Sequence, residues 1–97
     1  MNADDRAAAR RTEILARVRA LALETNPHLK AAEITEDATL ASMGLDSVAV
    51  VELSVRVEDA FGAQVVLDDW INQEATREEY GYTIGSLLTF IERSLDA

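Results

Sequence analysis

The stretch Leu40-Ala41-Ser42-Met43-Gly44-Leu45-Asp46-Ser47-Val48 places a serine at the first turn of a helix, just after a glycine turn. No apolar bulk stands in front of the Ser47 hydroxyl, which leaves its oxygen free for nucleophilic chemistry. Taken alone, Gly-x-Asp-Ser is an ordinary helix start, and a capping serine needs no other role. Hydrolysis by Ser47 would require a general base within about 3 Å of the hydroxyl. The chain's single histidine, His28, sits beside Pro27 in a loop. One histidine rules out a two-histidine metal centre, and zero cysteines rule out thiolate catalysis, disulfides and cysteine-bound zinc. No residue is assigned as a metal ligand. A chain of 97 residues folds as one domain, yet offers little wall for a deep substrate pocket. A protein acted on by enzymes, rather than an enzyme, is the expectation.

Charge narrows the partners. The net charge is −9, and it is unevenly spread. Residues 1–20 carry five arginines against Asp4, Asp5 and Glu13, whereas residues 33–97 carry 14 acidic side chains against Arg56, Arg77 and Arg93. So acidic a surface repels nucleic-acid phosphates and favours partners with basic surfaces; plain solubility is the competing explanation. No apolar run reaches the ~20 residues of a membrane span. The start, Met1-Asn2-Ala3-Asp4-Asp5-Arg6, lacks the basic-then-apolar order of a signal peptide. A cytoplasmic monomer is expected.

Periodicity supplies the elements that must position Ser47. A first helix is expected from about Asp5 or Arg11 to about Thr25, with Ile14, Leu15, Val18, Leu21 and Ala22 as its apolar stripe. Asn26-Pro27 stops it. Residues 27–46 read as a long connection anchored by Leu29, Ile34 and Leu40, with Thr39 capping one short turn that Gly44 ends. Connections of this length without regular structure are often functional. Asp68-Asp69 can cap a short helix carrying Trp70, Ile71 and Ala75, while Glu74, Arg77, Glu78 and Glu79 read as a solvated face. Tyr80-Gly81-Tyr82 reads as a turn. Thr83 caps the last helix, whose stripe is Ile84, Leu87, Leu88, Ile91 and Leu95.

The segment from Ser47 to Phe61 poses a conflict. Val51, Leu53, Val55 and Val57 alternate with Glu52, Ser54, Arg56 and Glu58, the pattern of a half-buried strand. Asp46 or Ser47 as cap, an uninterrupted run to Phe61 and Gly62 at the C′ position decide for helix. Wound at about 100° per residue, that helix has two apolar faces. Val50, Leu53, Val57, Ala60 and Phe61 form one. Val48, Val51 and Val55 lie nearly opposite, flanked by Glu52, Glu58 and Asp59. Either the second face is covered by the first helix or the long loop, or it is an exposed strip for partner docking. The sum is an all-α fold, a small four-helix bundle of three main helices and a short third.

Gly-Leu-Asp-Ser-Val opening a helix that closes in Glu58-Asp59-Ala60-Phe61-Gly62 resembles the acyl carrier and peptidyl carrier protein family. The likeness continues through a basic first helix, a long first loop, a short acidic third helix and the closing Thr-Ile-Gly-Ser-Leu helix, over roughly residues 11–95. It implies an acyl-carrier-protein-like bundle, with residues 11–97 as carrier domain and 1–10 as an N-terminal extension, frayed or part of helix one. By the resemblance, Ser47 takes a 4′-phosphopantetheine arm from coenzyme A, attached by a phosphopantetheinyl transferase, and Asp46 is the adjacent acid. The arm's thiol would hold acyl or aminoacyl groups as thioesters, loaded and unloaded by enzymes with basic docking surfaces. Val48, Val51, Glu52, Val55, Glu58 and Asp59 would form the docking face.

Two features depart from common fatty-acid carriers. The stretch between Phe61 and Ile84 is longer, and Ser42-Met43 stand where an acid often precedes the glycine turn. The longer stretch and the arginine-heavy basic set lean towards polyketide or nonribosomal peptide biosynthesis by a free-standing carrier. The alternative is an acidic helical adaptor that binds a basic partner without a prosthetic group.

Overall fold

The computed structural model describes residues 3–76 and 81–96. Among the described residues, four α-helices run in the order α1 (Ala3–Thr25), α2 (Ser47–Phe61), α3 (Leu67–Ala75) and α4 (Ile84–Asp96), with a short 3-10 turn over Ala31–Glu33. Among the described residues there is no strand, only an isolated antiparallel bridge between Thr39 and Thr83. α1 packs against α2 and α4, and α3 packs against α2. Its 23 residues, at about 1.5 Å each, account for most of the molecule's 39 Å long axis.

The apolar stripe of α1 goes inward, with Ile14, Val18 and Ala22 buried and Leu15 and Leu21 half-buried. The anchors Leu29, Ile34 and Leu40 of the following connection are all buried. Backbone bonding gives this connection an order its sequence does not show. Leu40 donates to the Tyr82 carbonyl at 3.1 Å, Ile84 to Ala38 at 2.9 Å and Gly85 to Glu36 at 2.9 Å. These bonds zip residues 36–40 onto the start of α4.

α2 is helical throughout, despite its alternating sequence. A lone amphipathic strand here would have no partner for its backbone groups, whereas the helix satisfies them internally. It ends where Gly62, at φ 105°, donates to the Glu58 carbonyl at 2.8 Å. Leu53 and Val57 are buried, and Val50, Ala60 and Phe61 are half-buried. The Arg17 guanidinium lies 5.1 Å from the centre of the Phe61 ring, a cation–π contact that covers this end of the core. The opposite face stays in solvent: Val48, Val51 and Val55 are 70%, 62% and 54% exposed. Neither α1 nor the long connection covers it.

The short helix departs from expectation in two places. Asp68 and Asp69 do not cap α3; they lie in its first turn, and the cap position is Val66, which makes no side-chain bond. Burial of Val65 and Leu67 draws the helix start forward, and the two aspartates favour the amide-rich end from within. Glu74 is not on a solvated face. It is 5% exposed, and its Oε1 accepts the Tyr82 amide at 2.9 Å. Arg77, Glu78, Glu79 and Tyr80 lie outside the described residues. Thr83 caps α4 as expected, accepting the Ser86 amide at 3.1 Å, and Ile84, Leu87, Leu88 and Ile91 are buried.

One arginine ties three segments together. Arg11 of α1 pairs with Glu36 of the connection and with Glu92 of α4, and donates to the Gly85 carbonyl at 3.0 Å. The Arg11 side-chain hydrogen bond holds the Glu36 carboxyl below the usual glutamate range, against a smaller opposing effect of burial. The same bonds keep Arg11 more firmly charged.

The two faces of α2 predict opposite responses to truncation. Leu53→Ala should lose about 2–5 kcal/mol of unfolding free energy, the range for buried leucines. Val48→Ala and Val55→Ala should each change it by no more than about 0.5 kcal/mol, as solvent-facing substitutions do. Urea titrations of the three variants measure this directly, and equal losses at all three would place the valine strip in the core.

Candidate functional site

The turn before α2 is built to hold one residue at the helix start. Thr39 and Ser42 cap each other: the Ser42 amide donates to Thr39 Oγ1 and the Thr39 amide to Ser42 Oγ, both at 3.0 Å. The chain then folds back, with the Gly44 amide on the Ala41 carbonyl at 3.0 Å and the Leu45 amide on Leu40 at 3.1 Å. Gly44 has φ 72°, a left-handed conformation that a side chain would disfavour. Leu40, Met43 and Leu45 are buried beneath the turn. Asn26, at the end of α1, donates from its side chain to the Met43 carbonyl at 3.2 Å.

Asp46 is the N-cap of α2, its Oδ1 accepting the Ala49 amide at 2.8 Å. Ser47 follows as the first residue of the helix and is exposed. Its own amide and that of Val48 belong to the first turn, where no intrahelical acceptor exists. Those amides and the helix dipole favour negative charge at this end. A phosphodiester on Ser47 would therefore sit in a favourable field, although Asp46 beside it opposes this by like charge.

Around Ser47 the acidic and apolar groups fall as follows. Glu52 and Asp59 are exposed and Glu58 is half-buried, alongside the exposed Val48, Val51 and Val55. Arg56 is the only cation of α2, and it turns to Glu24 of α1 at 2.9 Å. Of the other charged side chains of α2, all are acids: Glu52, Glu58 and Asp59. His28 is exposed, and its side chain makes no hydrogen bond among the described residues. It does not line the cleft that Ser47 lines.

A cleft of about 620 Å³ opens beside Ser47, walled by Leu40, Leu45, Val50, Val51, Ile71 and Tyr82. Val50 and Val51 reach it from different faces of α2. Periodicity alone does not reveal this cleft, because Leu40, Ile71 and Tyr82 are contributed by three segments distant in sequence. A larger depression of about 860 Å³ contains Arg11, Glu36 and Arg93, but it does not include Ser47.

The residues present fit a phosphopantetheine arm: an exposed hydroxyl, a helix start that favours phosphate, and an adjoining apolar channel. Asp46 serves this arrangement through its cap. Asp46→Ala should cost about 0.5–2 kcal/mol of stability, and Asp46→Asn, which keeps the accepting oxygen, should recover most of it. Thermal melts of both variants provide the check.

Comparison with known proteins agrees with this geometry. A family model described as the phosphopantetheine attachment site matches residues 16–76, which run from the middle of α1 through α3. No curated protein and no solved structure matches the chain. The chain belongs to the phosphopantetheine-attachment family of carrier domains, whose domain is the site of covalent 4′-phosphopantetheine attachment.

Proposed function

We propose that Ser47 is the attachment residue and that the chain carries biosynthetic intermediates as thioesters, as a non-catalytic partner of the enzymes that load and unload them. The observation that carries this reading is the exposed Ser47 at the capped start of α2, beside an apolar cleft. When bound, the arm supplies a terminal thiol, which a cysteine-free chain lacks. Ser47 Oγ contributes the ester oxygen to the phosphodiester. Asp46 holds the helix start in register, and the Ser47 and Val48 amides face the new negative charge.

The docking face in this reading is the strip of Val48, Val51 and Val55 with Glu52, Glu58 and Asp59. Exposed valines give a partner enzyme apolar area to bury. The acids give it a field to follow, provided its own surface is basic. The setting is natural-product assembly, polyketide or nonribosomal peptide, supported by the long segment between Phe61 and Ile84 and the predominance of arginine over lysine.

Incubation with coenzyme A and a broad-specificity phosphopantetheinyl transferase should add one phosphopantetheine by intact mass. Ser47→Ala should abolish the addition while leaving the fold unchanged by circular dichroism. Modification of a different serine, or none in a folded sample, would remove Ser47 from this role and favour a plain acidic adaptor. In the same assay, Glu52→Lys, Glu58→Lys and Asp59→Lys should slow modification, with the difference from wild type shrinking at 1 M salt, where the Debye length is about 3 Å. Rates indifferent to both charge and salt would leave the acids to solubility.

A further inference from the structure

The turn that presents Ser47 is closed on itself. Besides the mutual caps of Thr39 and Ser42, the Met43 amide donates to the Thr39 carbonyl at 3.2 Å, the Gly44 amide to Ala41 and the Leu45 amide to Leu40. These bonds begin and end within residues 39–45, so they shape the turn without fixing where it points. Among the described residues, two hydrogen bonds tie it to other segments. On the α4 side, the Leu40 amide donates to the Tyr82 carbonyl at 3.1 Å. Tyr82 is itself at φ 62°, a left-handed conformation rarely adopted by a bulky residue, and its amide is bonded to the buried Glu74. On the α1 side, Asn26 Nδ2 donates to the Met43 carbonyl at 3.2 Å.

The orientation of the Asn26 side chain is set twice. Its Oδ1 accepts the His28 amide at 3.2 Å, a partner that only the oxygen can take, and this turns the donating nitrogen towards Met43. Its backbone amide donates to the Ala22 carbonyl at 2.8 Å, in the last turn of α1. The Met43 carbonyl shares one rigid peptide plane with the Gly44 amide. That plane is therefore pinned at both ends, by Asn26 and by Ala41. Next comes Gly44 itself, where a residue without a Cβ offers little resistance to rotation. A plane freed at this point would swing Asp46 and Ser47, whereas α2 itself would persist: Asp46 caps it and Leu53 and Val57 are buried.

We propose that Asn26 is a positioning residue for the modification of Ser47: by pinning the Met43–Gly44 peptide it aims the Ser47 hydroxyl, and so governs the rate of transfer rather than the binding of the transferase. The inference rests on the assignment of Ser47 as attachment residue. In the transfer, Ser47 Oγ bonds to a phosphorus of coenzyme A and gives up its proton, and the adenosine bisphosphate leaves. A reacting atom misplaced by about 1 Å can cost about a hundredfold in rate. The exposed valine strip lies along α2, so its docking does not depend on Asn26.

The test compares wild type, Asn26→Asp, Asn26→Ala and Ile91→Val as full chains, each shown to be folded by circular dichroism. The assay is phosphopantetheinyl transfer with the carrier varied at saturating coenzyme A. Asn26→Asp keeps the side chain's size and its acceptor for the His28 amide, and loses only the donor to Met43. Both Asn26 variants should lower kcat by about tenfold or more, with the KM for the carrier unchanged. Ile91→Val, which trims the buried core on α4, should leave both constants at wild-type values. By NMR, the Gly44 amide nitrogen should shift in Asn26→Asp, because it shares a peptide with the Met43 carbonyl. Wild type should show scalar coupling across the hydrogen bond from Asn26 Nδ2 to the Met43 carbonyl carbon.

An unchanged kcat in folded Asn26→Asp would overturn the assignment. So would a loss carried by KM alone, or an equal loss in Ile91→Val, which would mark general destabilisation. Absence of the coupling in wild type would overturn it without recourse to any variant. Failure of the wild-type chain to be modified at Ser47 would instead count against the carrier reading itself.

Discussion

The placement of Ser47 depends on how the connection between α1 and α2 is tied to the start of α4. That connection has one short 3-10 turn and no other regular element. Left to itself, a chain of this length would lose much conformational entropy on becoming ordered. The backbone bonds from Leu40 to Tyr82, Ile84 to Ala38 and Gly85 to Glu36 supply a ladder, and Arg11 clamps its far end through Glu36 and Gly85. With residues 36–40 held, Leu40, Met43 and Leu45 enter the core together. The Gly44 turn then delivers Asp46 and Ser47 to the surface at one position.

α2 divides its surface between two demands that compete in a small bundle. A domain of this size needs apolar burial wherever it can get it, and Leu53 and Val57 provide it. Yet Val48, Val51 and Val55 are withheld from the core, at the expense of exposed apolar area beside acids. Such an arrangement contributes little to folding. It is consistent with a surface that is covered only when another protein arrives.

The longer segment after α2 contributes in a way that its polar composition conceals. It carries Ile71 to the cleft and buries Glu74 where the carboxylate can accept the Tyr82 amide. A buried carboxylate is tolerable only when its oxygens have partners. The bond to Tyr82 meets that need and also holds a backbone conformation that tyrosine does not favour. Trp70 closes the unit, its ring against Tyr82 and its indole N–H donating to Ser86 Oγ at 3.1 Å.

Much of this molecule was legible in the sequence because the relevant signals are local. Pro27 after α1, Asp46 before α2, Gly62 after it and Thr83 before α4 mark helix ends through their own backbone and side-chain chemistry. The core positions of α1, α2 and α4 follow from helical spacing. Ser47 stood out through the glycine turn and acidic cap that precede it. What the tertiary structure decided are the relations between distant segments: the ladder from residues 36–40 to 82–85, the exposure of Val48, Val51 and Val55, and the cleft itself. Glu74 shows the reason most clearly. In a run of Glu74, Arg77, Glu78 and Glu79, nothing local separates the carboxylate that will be buried from those read as solvated, because its partner is a backbone amide brought within reach only when α3 and the start of α4 close on the same core.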